Sequence, residues 1–300
     1  MDISLHLRRP GQELPAQSVR LHAASLYARG TGRDPGVAGD LSVAGEDPVI
    51  DRWYIGDEFC ASRLPSVQVA AEFARRADVA GVALTLLTPP VTDDQIDSLV
   101  PVLARLAGAS VPVEVTVNDW GLLFFLKSWF PDLPLALGRL LNKGFKDPRL
   151  GAPETVKAAA EADRAVLEHA TFDQPRFRER ASALGIARLE RDLMPYDPRT
   201  DFGDNPPAVS VYFPFGYVTT GRVCWPSTFA PGREADFRPR RACGRPCEGR
   251  PLALAHPANG FPLRQSGNTV FYLYPAPVTA ALLRRAGEGR LRLVYQGAAL

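Results

Sequence analysis

Long greasy runs are missing from this chain. A membrane helix needs roughly 20 consecutive apolar residues, and the longest apolar stretch, GLLFFL at 121–126, stops at Lys127. The opening MDISLHLRRPGQ has no apolar core behind its basic residues, so it does not read as a secretory leader and a cytoplasmic chain is expected. An excess of one charge is missing too. Lys and Arg number 35 against 33 Asp and Glu, a balance that gives no electrostatic footprint for nucleic acid or an anionic membrane. Histidine occurs four times, at His6, His22, His169 and His256, with no HExxH and no pair at metal spacing. No Ser/His/Asp set stands out, so protease chemistry has no support. No GxGxxG follows a strand and no GxxxxGK[ST] occurs, which removes the common nucleotide loops.

Cysteine is scarce as well, with four residues in 300, but three of them fall within 24 positions: Cys224, Cys243 and Cys247. The fourth is Cys60. In a reducing compartment, clustered cysteines serve more often as metal ligands or catalytic thiols than as disulfides.

From residue 48 onward strands and helices alternate. VIDRWYIG (49–56), GVALTLL (81–87), VPVEVTVN (111–118), LPLALGR (133–139), IARLERDL (186–193), AVSVYFP (208–214), NTVFYLYP (268–275) and RLRLVYQG (290–297) read as strands apolar on both faces. Between them, SVQVAAEFARRADV (66–79), the segment after Thr92, WGLLFFLKSWF (120–130), 154–170, 176–185 and VTAALLRRAGEG have helical spacing. The alternation implies a parallel sheet, and seven or eight strands in this length favour an α/β fold of the (β/α) TIM-like barrel class. Residues 1–47 read as an N-terminal extension with a Gly/Asp/Pro-rich loop at 30–40, and 48–300 as the barrel with a Cys-rich loop at 221–250. No helix follows the last strand. The barrel is therefore expected to be incomplete at its C-terminal seam, or closed there by the N-terminal segment or a partner chain.

In such a barrel chemistry sits where strands run out into loops. Cys60 follows the first strand of the series, and Cys224 follows a late one. Three readings of the cysteines stand open. They are small buried hydrophobes, a four-thiolate zinc site, or the ligands of an iron–sulfur cubane, whose longer edges tolerate irregular spacing. Arg63, Arg222 and Arg245 would offset thiolate charge, and Phe59 and Trp225 would keep water away. Asn118 and Asp119 end a strand at the expected mouth, Asp119 as a general base or as the cap of the next helix. Arg139 is a candidate to grip a substrate carboxylate bidentately, and Asn142 lines the same turn or simply fills it. Arg63 is a candidate for cluster sulfur, an anion, or a surface ion pair with Asp57 or Glu58. Tyr196 follows a strand and faces a substrate or packs a loop. The aromatics Phe124, Phe125, Trp129 and Phe130 read as packing between helix and barrel.

Several of these segments, in this order, resemble a known family. YIGDEFCASR (54–63) resembles the YxGExxCxxR segment of peptidase family U32, VEVTVNDWGLL (113–123) its strand ending in an N/S-D-x-G turn, and LALGRLLN (135–142) its next strand and turn. TTGRVC (219–224), the C-x3-C pair and GNTVFYLYP (267–275) complete the series, so the resemblance spans 48–297. One early Cys followed by Cys and C-x3-C is most similar to the family's ubiquinone-biosynthesis branch. The resemblance implies a [4Fe-4S] cluster held by Cys60, Cys224, Cys243 and Cys247, with Arg63 beside it. It also implies a sister chain of the same family as heterodimeric partner, and oxygen-independent hydroxylation of a quinone ring with prephenate as oxygen donor. Other members hydroxylate RNA bases. The 18 residues between Cys224 and Cys243, with the charged insertion GREADFRPRR, depart from the family pattern.

Overall fold

In the structure, a computed structural model, the described residues are 2–31, 48–147, 161–194, 202, 206–229, 243–254, 262–286, 291–297 and 299–300. Eight strands alternate with helices along the chain. They are β1 (Asp2–Leu7), β2 (Val49–Gly56), β3 (Ala83–Leu87), β4 (Val113–Val117), β5 (Leu135–Leu137), β6 (Arg188–Arg191), β7 (Ala208–Phe213) and β12 (Leu291–Tyr295). All pair in parallel and close into a barrel in the order β1-β12-β7-β6-β5-β4-β3-β2. This is the expected (β/α) barrel.

One expectation needs correction, and one open alternative is decided. Residues 2–31 are not an extension, because β1 is a barrel strand in register with β2 (Ile3 opposite Ile50) and with β12 (Ile3 opposite Leu293). Helix α1 (Ala16–Thr31) follows it as the first outer helix, and Val19, Ala23, Leu26 and Tyr27 are buried. Most of the Gly/Asp/Pro-rich loop lies outside the described residues. Of the alternatives for the C-terminal seam, closure by the N-terminal segment is the one observed, because β1 pairs with both β12 and β2. A strand edge with unpaired N–H and C=O groups is costly, and closure removes it.

The strands are not apolar on both faces. Outward residues such as Leu5, Ile55, Leu84, Leu86, Val115, Val117, Leu189 and Leu293 are buried against the helices. Each such side chain contributes about 2 kcal/mol when taken from water. Inward residues are polar. Tyr54 Oη donates to Glu190 at 3.1 Å, Thr85 to Glu114 at 3.1 Å, and Arg292 donates to both Tyr54 (3.0 Å) and Glu114 (2.8 Å). Among the described residues, Tyr54, Leu87, Tyr212 and Val294 form an apolar patch inside the lumen. Period-two alternation produces this split: in VIDRWYIG the polar Arg52 and the hydroxyl of Tyr54 fall on one face, Trp53 and Ile55 on the other.

The outer helices are capped as their sequences dictate. Ser66 accepts from Val69 N at the start of α2 (Val67–Ala80), and Gly81 ends that helix with φ of 67°. Thr92 starts α3 (Asp93–Ala107), and the Gln95 side chain accepts from Thr92 N. Asp119 starts α4 (Trp120–Trp129). Helices α5 (Glu161–Glu168) and α6 (Pro175–Ala183) lead to β6.

Between β7 and β12 the chain leaves the barrel. Strand β8 (Phe215–Thr220), helix α7 (Trp225–Thr228) and strands β9 (Leu252–Leu254), β10 (Leu263–Ser266) and β11 (Thr269–Leu273) intervene. The four strands form an antiparallel sheet in the order β8-β11-β10-β9, followed by α8 (Ala276–Ala286). NTVFYLYP is therefore not a barrel strand. Gly267, with φ of 65°, turns the chain in a two-residue hairpin that returns β11 against β10.

Candidate functional site: a cysteine-lined barrel mouth

At the C-terminal ends of the barrel strands lies a cavity of about 770 Å³. The loops after β2, β3, β4, β5 and β8 wall it, together with the β10–β11 hairpin. All four cysteines line it, and all four are free of disulfides.

Each thiol is placed by its own loop. Asp57 Oδ1 accepts from the backbone N–H of Phe59 (2.8 Å) and Cys60 (3.0 Å), a side-chain turn that bends the chain out of β2 and aims Cys60 at the cavity. The Cys60 carbonyl accepts from Arg63 N at 3.0 Å. Cys224 caps α7, its carbonyl accepting from Ser227 N (3.0 Å) and Thr228 N (2.8 Å). Cys243 Sγ accepts from Arg245 N at 3.4 Å and its thiol reaches Ser227 Oγ at 3.6 Å. Cys247 is buried and accepts from Arg63 Nη2 at 3.1 Å.

The electrostatics separate the thiols. A hydrogen bond from the Cys224 thiol, with Arg63 beside it, holds Cys247 well below the ordinary thiol range. The same bond pushes Cys224 up. Burial, and then Asp57, push Cys60 up to about 11. Arg63 is not in a surface ion pair: its Nη1 meets Asp57 Oδ2 at 3.2 Å with both side chains buried. Burial alone would raise Asp57, but Arg63 and Arg8 hold its carboxylate below the usual range. A thiolate with a buried guanidinium donor is a metal ligand or a nucleophile in waiting.

Among the described residues, no group of three or more His, Cys, Asp or Glu is arranged to hold a metal ion. The thiols share a cavity wall without converging on a point. What fits a metal group is the donor chemistry: four free cysteines around one cavity, one of them with thiolate character, beside a buried cation. The residues that could hold such a group are Cys60, Cys224, Cys243 and Cys247.

The other candidates fall elsewhere. Asp119 lines the cavity, but Oδ1 accepts from Leu122 N (2.8 Å) and Oδ2 from Val91 N (3.1 Å). It caps α4 and ties down the loop after β3. Asp119→Ala is expected to cost about 1–2 kcal/mol of stability in urea unfolding, and Asp119→Asn clearly less, since the amide still caps. Asn118 is buried, donating to Thr88 O (2.9 Å) and accepting from Leu140 N (2.9 Å).

Arg139 does not grip a substrate. Its Nε and Nη2 engage Glu58, Nη1 meets Asp192 at 2.7 Å, Nη2 also reaches Gln296 at 3.2 Å, and the guanidinium lies 3.7 Å from the Tyr212 ring centroid. Every face of the fork is taken beneath the cavity floor. Asn142 is also off the cavity wall: it is buried, and its Oδ1 accepts from Phe172 N at 3.0 Å. Phe124 and Trp129 are 54% and 72% exposed rather than packed between helix and barrel. Trp225 is 61% exposed against Phe229, whereas Phe59 packs at a tilt on Tyr217 and edge-to-face on Phe271. Tyr196 and the insertion at 232–241 lie outside the described residues.

Sequence reasoning named Asp57 only as a surface partner of Arg63, and missed Gly267 and Asn268. The last two carried a readable signal, since S-G-N-T between two alternating strands is a two-residue hairpin.

Fold and site together define a (β/α)8 barrel with a thiol-lined mouth roofed by an antiparallel sheet. No protein-family model matches the chain, and no curated protein matches it. Among solved structures, a GH18 chitinase from Cycas revoluta in complex with (GlcNAc)3 is similar at 12% identity, over 83% of this chain and 75% of that one, with a TM-score of 0.24. A likeness that loose carries no argument about chemistry.

Proposed function

We propose that the chain is an iron–sulfur protein of the U32 type, similar to UbiV. In this reading it acts in oxygen-independent ring hydroxylation in ubiquinone biosynthesis, with a UbiU-like sister chain as its heterodimeric partner. One observation supports the reading: every cysteine of the chain opens into one cavity at the end of a barrel where catalytic loops gather. Cys60, Cys224, Cys243 and Cys247 would hold a [4Fe-4S] cluster, which when bound supplies one-electron transfer. The chain's own contribution is electrostatic and positional. Arg63 donates to Cys247 and offsets thiolate charge, Asp57 orients Arg63, and Phe59 shields the site.

Protein purified without air is expected to carry about four iron and four acid-labile sulfide per chain, with a broad absorption near ~400 nm that bleaches on reduction. Cys247→Ser is expected to lose most of that iron. One zinc per chain without sulfide would instead make the cysteines a structural site and end the hydroxylation reading. Assay of the chain alone against a mixture with the sister protein separates a catalytic subunit from an electron-relaying one.

A further inference from the structure

Three of the four thiols are reached from a single point. The tip of the β10–β11 hairpin, Gly267–Asn268, lies against the loops that carry them. The Asn268 side-chain amide donates two hydrogen bonds of 2.7 Å each, one to the carbonyl of Phe59 and one to the carbonyl of Gly221. Phe59 immediately precedes Cys60, and Gly221 stands three residues before Cys224. The Asn268 carbonyl adds a second link to the same strand end, accepting from Gly221 N at 3.2 Å and from Thr220 Oγ1 at 3.3 Å. Gly267 packs on Arg63, the donor to Cys247. A Cβ at Gly267 would stand 2.9 Å from Arg63 Nη2, and φ of 65° already disfavours a side chain. One residue earlier, Ser266 accepts from Arg8, which also faces Asp57 at 3.5 Å.

The loops after β2 and after β8 are separated by about 160 residues of chain and, around the barrel, by the strands β1 and β12 that stand between β2 and β7. Nothing local fixes the distance between Cys60 and Cys224. An amide with two N–H donors is the smallest group that can hold two carbonyls at once, and neither aspartate nor serine can do so. The geometry points to Asn268 as a positioning residue. We infer that the Gly267–Asn268 tip sets the spacing of Cys60 relative to Cys224 and Cys247, and so makes the mouth competent to bind a thiolate-ligated metal group. As to the group held, this inference rests on the iron–sulfur reading. As to the spacing of the thiols, it stands without it.

The test uses the full chain, reduced and metal-free. Dibromobimane fluoresces on bridging two thiols, and peptide mapping reports which pair was bridged. Asn268→Asp keeps the size and the turn preference of the residue but removes the donor pair. The loss of both hydrogen bonds predicts that bridging of Cys60 to Cys224 or Cys247 slows by up to about thirtyfold. Bridging of Cys224 to Cys247, which are in contact, should stay as it is in the wild type. A residue that served only the turn would tolerate aspartate, so an unchanged Cys60 rate in the folded variant overturns the inference. If the variant does not fold, 15N NMR of the wild-type chain decides: slow exchange of the Asn268 side-chain amide protons supports the two bonds, and free exchange overturns them. Iron separates the two readings. A slowed Cys60 rate in the variant, with a wild type that takes up no iron and sulfide, leaves the spacer standing and removes the cluster. A wild type with a full cluster and a variant with an unchanged rate does the reverse.

Discussion

Arg139→Met is expected to lower stability by about 3–5 kcal/mol, read as a lower urea midpoint at an unchanged m-value. The size follows from what the guanidinium leaves behind. Arg139 and Lys146 face Glu58 and Asp192, two positive charges against two negative, and all four side chains are at most 7% exposed. Removing Arg139 strands one buried carboxylate. Burial already pushes Glu58 up even against Arg139, whereas Asp192 is held down because it faces both cations. Glu58 is therefore the group that will take a proton when Arg139 is gone. The loss should shrink as pH falls and Glu58 is neutralised. Arg139→Met combined with Glu58→Gln should recover a large part of it. If Arg139→Met unfolds at the wild-type urea midpoint at neutral pH, the ion network is not what holds the barrel floor. The consequence for the site is direct. Tyr217 Oη donates to the Arg139 carbonyl at 3.0 Å and Tyr217 N to Asp192 at 3.2 Å, so the network also seats the roof sheet on the barrel.

The parts of this design that were readable from sequence are those set by neighbours in the chain. GVALTLL is a strand because its apolar run is short and bounded, and Thr92, Asp119 and Gly81 mark helix ends through bonds that span four residues or fewer. Cys60 sits at the mouth for the same reason, since it follows the end of β2, whereas Cys224 follows β8, a strand of the antiparallel sheet and not of the barrel. What was hidden depends on partners far along the chain. SLHLRR is ambiguous alone, and becomes a barrel strand only because β12, with Leu293 opposite Ile3, needs an edge partner. NTVFYLYP has the composition of either kind of strand, and the hairpin at Gly267 decides. Arg139 looks like an open cation until Glu58 and Asp192 arrive from 81 and 53 residues away. The polar lumen was masked for a related reason: a strand buried on both faces scans as apolar even when one face carries Arg52, Glu114 or Glu190.

That lumen gives the second large effect. Glu190 sits at its centre, fully buried, with Oε1 accepting from Tyr54 Oη and with no hydrogen bond to Oε2 among the described residues. Burial, and then the nearby Glu114, raise its pKa to about 7, against the opposing pull of Arg292 and Arg188 and with Glu58 adding to the rise. Ser210 and Tyr212 face the same space without offering a charge. A carboxyl whose folded pKa lies above its unfolded value binds its proton more tightly when folded. Stability is therefore lost as pH rises from about 4.5, the unfolded value, through about 7, and the loss is complete above that. A rise of that size corresponds to about 3 kcal/mol. Glu190→Gln mimics the protonated acid, keeping the acceptor for Tyr54 while removing the charge. The variant should match the wild type near pH 5 and exceed it by about 2–3 kcal/mol at pH 8, measured by urea unfolding at both pH values. A constant difference across that range would mean that Glu190 stays ionised in the folded chain, and that the cations Arg188 and Arg292 outweigh its burial.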